Sequence, residues 1–130
     1  MEKFSLAMVA ALALVGVAAC DNAKPPGAVA NDVTSAQAKS ASEIADAQQK
    51  AARDTSTAQA NDASVDVKNA DAKAVYDVGT TKADGDRKIA LAKCEALSGD
   101  QQKTCKDAAD AQYNLVKAHA KANLDAAQSH

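Results

Sequence analysis

Past Cys20 this chain offers only fifteen large apolar side chains, and that scarcity decides most of what it can fold into. Trp is absent and the only Phe is Phe4. Burying a large aliphatic side chain contributes about 1.5–3 kcal/mol. Ordering each residue costs roughly 1–2 kcal/mol of backbone entropy. Fifteen such groups cannot fix the 110 residues beyond Cys20 around a thick core. The chain must lean on local helix propensity, on self-association or on a covalent staple.

The apolar share of 47% does not change this, because much of it is alanine: 34 in all, 28 of them beyond Cys20. Alanine is the best helix former but buries little. No proline follows Pro26, and the rest is an Ala/Lys/Asp/Gln mixture. The expected class is therefore all-α: long Ala-rich helices in a disulfide-stapled hairpin, or a loose three-helix bundle or coiled coil, after a flexible linker. Apolar and small residues recur in steps of three and four along three stripes. The first runs Val33, Ala36, Ser40, Ile44, Ala47, Ala51, Thr55, Ala58. The second runs Val67, Ala70, Ala74, Val78, Gly85, Ile89, Ala92, Ala96, with one step lost near Thr81. The third runs Ala108, Ala111 or Gln112, Leu115, Ala118, Ala122, Ala126.

Helices are expected at about 31–60, 63–97 and 100–127, with Asn31 and Asn61 placed to cap the first two. The break near 61 competes with one rod from 31 to 97. Gly79 and Gly85 should each soften the second helix by about 1 kcal/mol relative to Ala. Opposite charges four residues apart support the helices locally: Asp46/Lys50, Lys50/Asp54, Lys73/Asp77, Lys82/Asp86, Asp84/Lys88, Lys103/Asp107 and Lys106/Asp110. Net charge is only −2, and the signs interleave along the chain. A basic stripe for nucleic acid is absent, so no nucleic-acid partner is expected.

Residues 1–19 read as an export signal. Lys3 sits in a short n-region, and an uncharged apolar stretch of fourteen residues follows, Phe4 to Val17. As a helix it would rise about 21 Å, short of the ~30 Å hydrocarbon core. It ends in Val17-Ala18-Ala19-Cys20, which resembles the lipobox of bacterial lipoproteins. That resemblance implies cleavage between Ala19 and Cys20, a diacylglyceryl thioether on Cys20 and acylation of the new amine, typically with palmitate-class chains. Two or more chains hold a protein stably on a bilayer. In enterobacterial lipoproteins an Asp after the lipidated Cys retains the protein in the inner membrane, so Asp21 implies the periplasmic face of the inner membrane in preference to the outer. Residues 20–30, with Pro25, Pro26 and Gly27, read as an extended linker lifting a body of residues 31–130 off the lipid by up to ~33 Å.

With Cys20 consumed by lipid, Cys94 and Cys105 remain. An even count in an oxidising compartment favours a disulfide. Gly99 suits a left-handed helix stop and Asp100 an N-cap, which sets the two thiols level on opposite arms of an α-hairpin. An intermolecular bridge is the competing use. A zinc site wants four ligands, and a redox pair would be Cys-x-x-Cys.

From Tyr76 to about Ala122 the chain resembles small Ala/Lys-rich envelope proteins of proteobacteria, some labelled TolA-like. The matching residues are Asp84-Gly85-Asp86-Arg87-Lys88, Cys94-Glu95-Ala96-Leu97-Ser98-Gly99-Asp100 and Cys105-Lys106-Asp107. The resemblance implies an envelope setting and no activity. Catalytic residues, metal ligands and cofactor motifs are not found: His119 has no carboxylate three or four residues away, and His130 is the last residue. The sequence thus points to a non-enzymatic structural or interaction module of the cell envelope, with copies of itself or an envelope protein as partner. The other reading is a partly disordered stress protectant. Small helical lipoproteins that join peptidoglycan do so through a terminal lysine; this chain ends Gln128-Ser129-His130, so no covalent wall link is expected.

Overall fold

A computed structural model describes residues 23–61 and 64–129. They form three helices: α1 (Pro26–Ala60), α2 (Ser64–Cys94) and α3 (Gly99–Gln128). Successive helices run antiparallel. Ser40 meets Gly85 and Thr55 Oγ1 donates to Asp71 across α1–α2, while Cys94 is bonded to Cys105 and Arg87 to Asp110 across α2–α3. Among the described residues α1 and α3 each pack on α2, and no backbone contact joins them to each other. Gly85, at the α1 seam, and Ala83, at the α3 seam, lie two positions apart, about 200° around the helix. The outer helices therefore flank α2 on opposite sides.

This arrangement suits a chain with few large apolar groups. Among the described residues the buried apolar side chains are Val29, Ala83 and Cys94, and the buried polar one is Ser40. Small seam residues let backbones approach closely in place of a thick core. Gly85 is where this is tightest. A Cβ there would strike the Ser40 side chain, with the Ser40 Cβ only 2.8 Å away and its Cα 3.6 Å away. Gly85 is thus a packing residue and not merely a soft point, whereas Gly79 has open space around it.

The first two stripes fall where the helices pack. Every member from Val33 to Ala58 is at least partly covered, as is the second stripe from Val67 to Ala92; only Ala96, beyond the end of α2, is exposed. The third stripe is displaced. Ala108, Ala111, Gln112, Leu115, Ala118, Ala122 and Ala126 are all exposed, and the covered face carries Cys105, Ala109, Tyr113, Val116, Ala120 and Leu124.

Three boundaries differ from expectation. Pro26 does not extend the linker but opens α1, with Pro25 at the N-cap (φ −56°, ψ 144°). A proline at the first helical position loses no intrahelical bond, and its ring presets the helical φ. Asn31 accordingly lies inside α1, and Asn61 caps its C-terminus instead of starting α2. The chain does not continue as one rod, because α2 folds back along α1. At the second turn α2 ends at Cys94, three residues before Leu97, and Ser98, not Asp100, is the N-cap of α3. Gly99 takes the left-handed backbone, at φ +54°, but as the first residue of α3 and not as the stop of α2.

Candidate functional site

Ala19, Cys20 and Asp21, the proposed cleavage, lipidation and sorting residues, lie outside the described residues, as does His130. The nearest described chemistry is the end of the bundle where α1 begins and the α2–α3 turn closes. There the Cys94–Cys105 disulfide spans a Cα–Cα distance of 5.7 Å. Cys94 is almost fully buried. Cross-linking two residues eleven positions apart contributes about 3 kcal/mol in the chain-entropy account.

Beside the staple, Lys24 is fastened to the turn. Its backbone N–H donates to the Glu95 carbonyl at 2.9 Å. Its ammonium lies 3.0 Å from Asp32 and 4.0 Å from Glu95, and Lys106 reaches Glu95 at 2.7 Å. Hydrogen bonding from Lys106 is the main cause holding the Glu95 carboxyl below its ordinary range, with the charge of Lys24 adding to it. Asp32 raises Lys24 correspondingly. Glu95 thus ties α1, the turn and α3 into one cluster.

The expected helical charge pairs form at Lys50/Asp54, Lys73/Asp77, Lys82/Asp86, Asp84/Lys88 and Lys103/Asp107, joined by Lys121/Asp125. The expected Asp46/Lys50 and Lys106/Asp110 pairs do not: Lys50 turns to Asp54, Lys106 to Glu95, and Asp110 takes Arg87. The pairs that cross between helices, Arg87–Asp110 and Lys88–Glu43, join residues 23 and 45 positions apart. Such separations leave no periodic trace. Lys88 Nζ sits 2.7 Å from Asp84 and 2.9 Å from Glu43, and these two carboxylates, Asp84 first, raise its affinity for the proton.

Two kinds of groove flank α2. One is polar: a space of about 530 Å³ lined by Glu43, Asp46, Tyr76, Thr80, Thr81, Asp84, Lys88, Tyr113 and Lys117 gathers both tyrosines of the chain. The Tyr113 ring is itself occupied, with the Arg87 guanidinium 5.7 Å and the Lys117 ammonium 5.6 Å from its centroid. The other kind is apolar and runs along the α2–α3 seam as spaces of about 210 and 420 Å³ that share Gly79 and Val116. His119 lines the larger of them, among Ala120, Asn123 and Leu124. Among the described residues no group of three His, Cys, Asp or Glu side chains is placed to hold a metal ion, and no helix is long and apolar enough to cross a membrane. No protein family, curated protein or solved structure matches this chain.

Proposed function

We propose that the chain is a lipoprotein of the bacterial cell envelope, anchored by acyl chains on Cys20 and facing the periplasm, whose helical body is a non-enzymatic structural or interaction module. The observation that carries the reading is Val17-Ala18-Ala19-Cys20 placed directly after fourteen uncharged, apolar residues. The disulfide supports it, since such bonds persist in oxidising compartments and are rare in reducing ones. Support for an interaction role comes from large apolar side chains left on the surface: Val75 is 71% and Leu115 55% exposed. Asp21 favours the inner membrane by resemblance.

Mass spectrometry of the mature N-terminus tests the anchor. The expected chain begins at Cys20 with a diacylglyceryl thioether and an acylated amine, and C20S stays unprocessed. A free thiol, or a different first residue, overturns the reading.

A stress protectant that stays partly unfolded until drying or partner binding is the second reading, favoured by how few apolar residues are buried among the described residues. Circular dichroism of residues 21–130 separates the two. A helical spectrum with a cooperative melt supports the anchored module; a coil spectrum in dilute buffer supports the protectant.

A further inference from the structure

We infer that the α2–α3 turn rests on the lipid surface itself, with Leu97 entering the interfacial layer. This builds on lipidation of Cys20 and specifies how the body then stands. The linker expected from the prolines would have allowed a spacing of some 33 Å. The structure removes most of it, because Lys24 is already fastened to Glu95 by its backbone N–H and by its ammonium. Only three residues lie between Cys20 and Lys24, and the four Cα–Cα steps, fully extended, reach about 14 Å. A sulfur whose acyl chains fill the hydrocarbon core sits at the inner edge of the headgroup layer, which is itself roughly 5–7 Å thick. The turn held by Lys24 is therefore confined to within a few side-chain lengths of the headgroups.

The direction of the helices fixes what faces the lipid. α1 leaves Lys24 and α2 returns to it, so residues 95–98 close the bundle on the anchored side. Leu97 is the large apolar side chain of that turn and is 36% exposed. It borders a space of about 500 Å³ that it shares with Asp100, Gln101, Thr104 and Cys105. Most carboxylates of this end are paired, Asp32 and Glu95 with Lys24 and Lys106 and Asp107 with Lys103, while the exposed Asp100 beside Leu97 is not. Paired carboxylates approach an anionic surface at lower cost than free ones. Reach, orientation and an apolar tip agree on one occupant, a bilayer interface.

The chain contains no tryptophan, so a single introduced one reports alone. The full lipidated L97W chain is placed in vesicles of phosphatidylethanolamine and phosphatidylglycerol bearing brominated acyl chains, and its emission is compared with that in unbrominated vesicles. A96W, on the same exposed turn, gives an independent reading. V75W is the reference, because Val75 lies nineteen residues before Cys94, about 29 Å up α2. The expected result is at least a twofold loss of emission for L97W and A96W and none for V75W, with Cys20 acylated by mass. Unquenched turn variants on an acylated chain overturn the resting contact but leave the anchor standing, and point to a protein covering Leu97. Equal quenching of V75W also overturns it, since the bundle would then lie flat. An unacylated Cys20 removes the anchor and the contact together.

Discussion

The two seams on either side of α2 solve the same shortage of large apolar side chains differently. The α1–α2 seam is held by shape. It is the more extensive contact, with Ser40 set against the bare backbone of Gly85 and Lys88 reaching across to Glu43. The α2–α3 seam is held by a bond. Apolar spaces run along it, and its firm points are the Cys94–Cys105 staple and Tyr113, which carries the Arg87 guanidinium over its ring. A seam that depends on close approach is sensitive to one added methyl. A seam that depends on a crosslink is sensitive to reductant.

The largest effect should follow removal of the staple. Replacing both Cys94 and Cys105 with Ala should lower stability in a denaturant titration by about 3 kcal/mol. A loss well under 1 kcal/mol would mean that the α2–α3 seam packs as well as its counterpart, and the contrast would fail. Next comes G85A, expected to lower stability by about 1–3 kcal/mol through overpacking against Ser40. S40G in the same chain should recover part of that loss. G79A, where nothing lies within 4 Å, should instead raise stability by up to about 1 kcal/mol. Equal effects at the two glycines would deny Gly85 its packing role. A smaller loss, about 1–2 kcal/mol, is expected for G99A, because an L side chain is strained at φ +54°.

The smallest effects are those of pH, and they separate the seams by sign. Glu95, at the stapled end, has its proton affinity lowered, so its contribution is present above its ordinary value of 4.5 and is lost as acid protonates it. Lys88, at the α1–α2 seam, has its proton affinity raised, so its contribution is present below 10.5 and is lost as alkali deprotonates it. E95Q should flatten the acid limb of a melting-temperature profile, and K88M the alkaline limb. The reverse assignment would place these charges at the wrong seams.

How legible each seam was in the sequence follows from its contents. Val33, Ile44, Val67, Val78 and Ile89 stand out against polar neighbours, so the α1–α2 stripes could be read directly. On α3 the signal vanishes, because Ala111, Ala118 and Ala122 on the open face are chemically the same as Ala109 and Ala120 on the covered one. Leu115, the most apolar residue nearby, drew the stripe onto the wrong face although it is 55% exposed. Cys105 held the right register: steps of four, four and three from it reach Ala109, Tyr113 and Val116. The disulfide could be read from cysteine count and from a turn between the two thiols, although Gly99 and Asp100 do not stop α2 and cap α3 as expected. The Lys24–Glu95 clamp could not, because it joins residues 71 positions apart through a backbone bond that no side-chain pattern encodes. The start of α1 was misplaced because two adjacent prolines break a helix internally yet favour its first turn.

Hydrogen exchange on the oxidised and reduced chain tests the contrast most directly, because it reports each helix separately. With the disulfide intact, the covered amides of all three helices should be protected. After reduction, α3 from Cys105 to Leu124 should exchange many times faster, while α1 around Ser40 and α2 around Gly85 keep most of their protection. Loss of protection in α1 as early as in α3 would contradict the account, since the two seams would then be one cooperative unit.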